Sequence, residues 1–142
     1  MIYLDSSAYV KIYLDEVFSD KVRQVVSESK QIFCAELGFV EVRAALAAAH
    51  RLHRIHEDEL TLLKDKFTSQ WEYCHQIEID SALIVRAADL AEYGGLRGYD
   101  AMHLAAAERL KLGGILDLHF LCFDHHLVRA AKMLGITCTE FK

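Results

Sequence analysis

Two short apolar runs near opposite ends of the chain each stop at an aspartate. Asp5 follows the run of residues 1–4, and Asp124 follows the run of residues 120–123. An isolated buried carboxylate costs several kcal/mol or becomes protonated. The fold must therefore either give both carboxylates a shared counter-charge or let each one cap the helix that follows its strand.

Strand-like runs alternate with helical patterns along the whole sequence. The patterns predict strands at residues 1–5, 31–35, 75–79, 118–123 and 136–139. They predict helices at residues 6–14, 18–26, 36–53, 57–73, 81–94, 99–112 and 127–134, with Gly135 ending the last one. This order predicts an α/β fold with three layers, in which helices cover both faces of a mostly parallel sheet of about five strands.

The predicted sheet brings the two aspartates together. Ligands of parallel α/β sheets bind beyond the carboxyl ends of the strands, where Asp5 and Asp124 lie. No proline and no linker-like or low-complexity segment interrupts the chain. We therefore expect residues 1–142 to form one domain with these two carboxylates at one edge of its sheet.

Two further carboxylates occupy helical positions that are otherwise apolar. Glu41 is four residues from both Leu37 and Ala45, which predicts that it lies on the apolar stripe of its helix. The same stripe is expected to include Val40, Ala44 and Ala48. Asp100 opens a nearly all-apolar helix. A pair with Arg43 could explain Glu41, and capping could explain Asp100, but capping does not account for Glu41.

The four carboxylates together favour a bound divalent cation. Carboxylate oxygens select hard ions such as Mg²⁺ or Mn²⁺. Such an ion can lower the pKa of a bound water and offset charge on a phosphate under attack, and four carboxylates suffice for one ion or two. The sequence therefore predicts metal-dependent chemistry on phosphate.

Four segments around these carboxylates closely resemble PIN-domain proteins, in particular the VapC-type toxins of toxin–antitoxin pairs. The segments are residues 4–8, 40–46, 98–107 and 123–127, and their order and spacing extend the resemblance over essentially the whole chain. The resemblance implies a Mg²⁺- or Mn²⁺-dependent endoribonuclease, a hydrolase that cleaves RNA. Its metal ligands fall on Asp5, Glu41, Asp100 and Asp124, and Ser7 positions the site or its water.

The resemblance also implies partners. Members of this family commonly form homodimers, and a small VapB-type antitoxin inhibits them by filling the acidic groove.

Composition agrees with such a cytoplasmic protein, because no apolar run reaches the roughly 18 residues of a membrane span and no secretion signal opens the chain. The four cysteines form no Cys-x-x-Cys pair and are expected to be reduced. A net charge of −5 argues against a binder with a large basic face, although not against an RNA substrate.

Two other functions remain open. One is a degenerate PIN domain that only binds RNA or protein, although all four carboxylates are present. The other is phosphotransfer through an aspartyl phosphate on Asp5, although phosphatases of that type need a second aspartate where this chain has Ser7.

The histidines carry weaker signals. His103 is expected to have a packing or hydrogen-bonding role, because its neighbours are apolar. His50, His53 and His56 form a cluster spaced by three residues. A zinc site is disfavoured there because no fourth ligand is near, and a weakly basic surface is favoured instead. The tandem pair His125 and His126 has no role that the sequence assigns.

Overall fold

Five strands alternate with seven α-helices in the computed structural model, which describes residues 1–142. The strands are β1 (Ile2–Leu4), β2 (Ile32–Ala35), β3 (His75–Ile77), β4 (His119–Leu121) and β5 (Thr137–Cys138). The helices are α1 (Ser6–Tyr9), α2 (Ser19–Glu28), α3 (Leu37–Arg51), α4 (Glu57–Trp71), α5 (Ser81–Gly94), α6 (Gly98–Leu112) and α7 (His125–Met133). None of the helices is both long enough and apolar enough to cross a membrane.

Every predicted element is present, and the differences lie at the ends. The predicted helix over residues 6–14 is α1 followed by a 3₁₀ turn, Val10–Ile12. Asp80 caps α5 by accepting a hydrogen bond from Leu83 N. Gly135 follows α7 with a positive φ of 73°, a conformation that glycine adopts without steric cost. The predicted helix start at residue 81 and the predicted stop at Gly135 are therefore both confirmed.

All five strands are parallel and follow the order β3-β2-β1-β4-β5. The chain builds outwards from β1 to β3, then returns to the other side of β1 with β4. The direction of strand addition therefore reverses between β1 and β4, so the carboxyl ends of these two paired strands form the topological switch point where α/β sheets bind ligands. Asp5 and Asp124 directly follow the two strands that border it.

Helices cover both faces of the sheet because successive side chains of a strand point in opposite directions. Ile2 and Leu4 belong to an apolar cluster with residues of α1 to α4. Tyr3, between them, belongs to a second cluster with residues of α5 to α7. The predicted three-layer α/β/α fold with a mostly parallel sheet of about five strands is confirmed.

The buried face of α3 differs from the predicted stripe. Its buried residues are Gly38, Val42, Leu46 and Ala49, whereas Val40 and Ala44 are exposed. The prediction was wrong because residues 44–49 are apolar all round the helix and so mark no single face. Glu41 lies beside the true buried face, and 22% of its side chain is exposed.

Gly38 sets how closely α3 approaches β2. A Cβ atom at this position would lie 2.4 Å from Cys34 Sγ and 3.4 Å from the Trp71 ring. Both of these neighbours are buried. The close approach therefore depends on the missing side chain of glycine.

We expect Gly38→Ala to lower the free energy of unfolding by about 1–3 kcal/mol, because the added methyl group must displace packed atoms. Urea denaturation measures this difference, and Cys34→Ala in the same chain should restore part of it. Gly98→Ala is the matched control, because a Cβ there meets nothing within 4 Å. Equal losses from Gly38→Ala and Gly98→Ala would contradict the packing argument.

Candidate metal centre

All four predicted carboxylates line one cleft at the carboxyl edge of the sheet. The cleft has a volume of about 340 Å³ and nine lining residues. These residues are Asp5, Ser6, Ser7, Glu41, Arg97, Tyr99, Asp100, Phe123 and Asp124. The structure thus brings together the four carboxylates and Ser7, which the sequence had proposed as one site.

Asp5 is the only carboxylate of the four that is fully buried, with 2% exposure. Its Oδ1 atom caps α1 by accepting from Ala8 N at 2.9 Å and also accepts from Ser7 Oγ at 2.7 Å. Burial raises the pKa of Asp5 from 3.8 to about 6, although His103 and these hydrogen bonds act in the opposite direction. The protein therefore compensates the charge of ionised Asp5 only in part.

Ser7 joins the ends of the two strands at the switch point. Its hydroxyl donates to Asp5 Oδ1, beyond β1, and accepts from Phe123 N at 3.3 Å, beyond β4. The sequence assigned Ser7 to positioning, and the contacts of its hydroxyl fix the side chain of Asp5 against the segment that leads to Asp124.

Asp124 repeats the arrangement of Asp5. Its Oδ1 atom caps α7 by accepting from Leu127 N at 3.0 Å, and its Oδ2 atom lies 3.7 Å from Arg97 Nη2. The capping explanation is thus correct for both aspartates, yet it uses only one oxygen of each. For Asp100 it is wrong, because this residue lies in the first turn of α6 and Arg97 holds the N-cap position.

Arg97 bridges two of the carboxylates. Its Nε atom donates to Asp100 Oδ2 at 3.1 Å, and its guanidinium also approaches Asp124. Asp100, and to a smaller extent Asp124, raises the pKa of Arg97 above its ordinary value. With 78% of its side chain exposed, Arg97 forms the outer wall of the cleft and partly neutralises it. The sequence reasoning missed Arg97, although its spacing of three from Asp100 favours an ion pair on a helix.

Glu41 is held through both of its carboxylate oxygens. Ser6 Oγ donates to Oε2 at 3.0 Å, and His103 Nε2 lies 2.6 Å from Oε1. The simpler explanation, an ion pair with Arg43, is not observed, because Arg43 stacks on the Phe39 ring. Ser6 was also missed, although it directly follows Asp5 in the sequence.

The donor set of the cleft fits a hard divalent cation, although the ligands are not gathered around one point. No three histidine, cysteine, aspartate or glutamate side chains are grouped so that they could hold a metal ion in the observed conformations. Mg²⁺ needs only one or two direct carboxylates, because it keeps several waters. The second oxygens of Asp5 and Asp124 meet this requirement, and only oxygen donors among potential metal ligands line the cleft.

The other histidines lie outside this site. His50, His53 and His56 surround the turn between α3 and α4 and form no group that could hold a metal ion. His125 and His126 are exposed in the first turn of α7 and do not line the acidic cleft. The disfavoured zinc hypothesis therefore gains no support.

The PIN-domain family model matches residues 2–133, and the chain therefore belongs to the PIN-domain family. Ribonuclease VapC45 of Mycobacterium tuberculosis (strain CDC 1551 / Oshkosh) is 35% identical over 107 residues, which cover 75% of this chain and 74% of that protein. Ribonuclease VapC46 of Mycobacterium tuberculosis (strain ATCC 25618 / H37Rv) is 33% identical over 140 residues, which cover 95% of this chain and 93% of that protein.

Two solved structures share the fold. One is FitAB bound to an IR36 DNA fragment, with a TM-score of 0.73 and 13% identity, covering 98% of this chain and 94% of that one. The other is a toxin–antitoxin complex from Klebsiella pneumoniae, with a TM-score of 0.62 and 14% identity, covering 87% of each chain. At such low identity, these matches establish the common architecture alone.

The raised pKa of Asp5 makes stability depend on pH. The folded protein keeps the Asp5 proton up to a pKa of about 6, whereas the ordinary value is 3.8. This contribution to stability is complete below about pH 4 and is lost as the pH rises through about 6. In EDTA, we expect Asp5→Asn to be more stable than the wild type by about 3 kcal/mol at pH 7, since one pKa unit is worth about 1.4 kcal/mol.

Urea denaturation at pH 4 and pH 7 measures this difference, which should nearly vanish at pH 4. Asp117→Asn is the control, because Asp117 is 70% exposed and therefore not desolvated. An advantage of Asp5→Asn that is the same at both pH values would contradict the raised pKa.

Proposed function

We propose that residues 1–142 form one Mg²⁺- or Mn²⁺-dependent endoribonuclease that acts as the toxin of a toxin–antitoxin pair. The observation that carries the proposal is the convergence of Asp5, Glu41, Asp100 and Asp124 in one cleft at the switch point of a PIN fold. Relatives that are named ribonucleases and align with up to 95% of the chain support the same activity.

The proposed roles follow from the contacts of each side chain. All four carboxylates are proposed to hold the ion: Asp5 and Asp124 through the oxygens that capping leaves available, and Glu41 and Asp100 from the same cleft. Ser7 holds Asp5 in place. When bound, the divalent ion supplies an activated water and offsets charge on the phosphate. We infer that the products carry a 5′-phosphate and a 3′-hydroxyl.

Arg97 offers a solution to the electrostatic repulsion between the protein and RNA. The chain carries a net charge of −5, and its cleft is lined by four carboxylates. Arg97 is the one basic residue that lines the cleft, and 78% of its side chain is exposed. If Asp100 and Asp124 held a divalent ion, the Arg97 guanidinium would be available to a backbone phosphate.

We propose a small VapB-type antitoxin as the protein partner, bound in the acidic cleft. The position of Arg97 supports this, because a guanidinium already fits between Asp100 and Asp124. Tyr99 lines the same cleft with 70% exposure and offers a large apolar contact. The homodimer and the cytoplasmic location remain predictions, and light scattering of the purified protein tests the first.

We expect Asp5→Asn and Asp124→Asn each to lower RNA cleavage by about three orders of magnitude, since the ion contributes several kcal/mol to the transition state. End-labelled RNA incubated with Mg²⁺, Mn²⁺ or EDTA measures the rate, and EDTA should abolish it. Asp117→Asn, at the opposite edge of the sheet, should keep full activity.

Three outcomes would contradict this assignment: full activity of both variants, cleavage in EDTA, or products with 2′,3′-cyclic phosphates. A wild-type protein that binds Mn²⁺ and RNA without cleaving would indicate the binding-only alternative.

We expect Arg97→Ala to bind Mn²⁺ about two- to fivefold more tightly, because an exposed cation that competes for Asp100 and Asp124 is removed. The same variant should bind RNA more weakly. Isothermal titration calorimetry measures Mn²⁺ affinity in the absence of RNA. Arg43→Ala is the control, because Arg43 packs on Phe39 and does not line the cleft. Weaker Mn²⁺ binding by Arg97→Ala alone would overturn the competition argument.

A further inference from the structure

A chain of buried hydrogen bonds leads from the sheet to Glu41. Tyr3, in the middle of β1, is completely buried, and its hydroxyl accepts from Ala35 N at 3.0 Å. The same hydroxyl lies 2.7 Å from His103 Nδ1. His103 is 1% exposed, and its Nε2 atom lies 2.6 Å from Glu41 Oε1. Four groups from β2, β1, α6 and α3 are thus linked in series.

Which atom donates in each of these hydrogen bonds follows from the available donors and acceptors. The Tyr3 oxygen accepts from Ala35 N, and its single proton has His103 Nδ1 as its acceptor. Because Tyr3 is completely buried and its hydroxyl contacts no other acceptor, that proton is directed at His103. His103 therefore accepts at Nδ1 and carries a proton at Nε2, which donates to Glu41.

The carboxylate at which this series of hydrogen bonds ends indicates what the series does. A buried polar group without a partner costs about 1–3 kcal/mol, and both Tyr3 and His103 lie among apolar residues of the core. An apolar pair would fill the same space without that requirement. The chain instead ends on a carboxylate that is 22% exposed and lines the acidic cleft.

The contacts of Glu41 leave it able to bind a cation. His103 holds Oε1 and Ser6 holds Oε2, but each carboxylate oxygen has two lone pairs. One lone pair on each oxygen therefore remains for a ligand in the cleft. The two donors remove the rotational freedom of a long side chain, which otherwise costs up to about 2 kcal/mol when the side chain becomes ordered.

We propose that Tyr3 and His103 are positioning residues for the candidate metal centre, which hold Glu41 in the conformation that presents its carboxylate to the ion. This inference rests on the proposed metal-dependent function and names two residues that support it. Groups that orient metal ligands in this way typically contribute a factor of about 10–100 in metal affinity.

Mn²⁺ affinity of the full chain, measured by calorimetry without RNA, tests the proposal. We expect His103→Leu to bind Mn²⁺ about 10–100-fold more weakly, because Glu41 loses its donor. His103→Gln, whose amide N–H can approach the Nε2 position, should recover most of the affinity. A packing role alone would predict that Leu, the apolar replacement, is tolerated at least as well as Gln.

Tyr3→Phe provides a second variant that changes a single hydroxyl group. Without the Tyr3 hydroxyl, His103 can adopt the other tautomer, in which Nε2 carries no proton to donate to Glu41. The substitution should therefore weaken Mn²⁺ binding. Nitrogen-15 NMR of the metal-free wild type should show His103 protonated at Nε2, and Tyr3→Phe should reduce that population. Urea denaturation verifies that each variant is folded. If His103→Leu does not fold, Tyr3→Phe alone tests the proposal.

Separate outcomes distinguish the inference from the function on which it rests. If the wild type binds no Mn²⁺, the proposed function fails and the inference fails with it. If the wild type binds Mn²⁺ but folded His103→Leu or Tyr3→Phe binds it equally well, only the positioning role is overturned. A wild-type His103 protonated at Nδ1 alone would also overturn that role.

Discussion

The mutual repulsion of carboxylates, gathered at one edge of a parallel sheet, is the constraint on which the other features of the structure depend. The fold opposes it with the positive ends of helix dipoles. Asp5 caps α1, Asp124 caps α7, and Asp100 lies in the first turn of α6. Three helix N-termini thus converge where the strand order reverses. They offset only part of the charge, because burial still raises the pKa of Asp5 to about 6.

Arg97, the one basic residue that lines the cleft, offsets a further part of the negative charge. Its contacts with Asp100 and Asp124 are largely exposed, and ion pairs of this kind contribute little to stability. A divalent ion that several oxygens contact at once competes well against such a partner. The site therefore sacrifices stability in the metal-free protein, which is a common consequence of keeping like charges together for function.

The sequence predicted those parts of the site that local patterns encode. An aspartate directly after an apolar strand predicted where Asp5 and Asp124 lie, because parallel strands share one carboxyl edge. The buried face of α3 could not be predicted, since an alanine-rich helix marks no single face. Gly38, which packs against Cys34 of β2, has no side chain to mark that face either. The contacts of His103 with Tyr3 and Glu41 join residues 100 and 62 positions apart, which no local pattern reveals.

Helix α6 explains why the core and the cleft depend on each other. Asp100 and His103 are three residues apart and therefore lie on neighbouring positions of one helical face. One reaches the cleft directly, and the other reaches it through Glu41. Because Tyr3 stacks on Phe120 of β4 with a centroid distance of 5.4 Å, the polar chain is anchored at both strands that border the switch point. The same packing that aligns these strands thus also orients Glu41, so the geometry of the acidic cleft follows from the core beneath it.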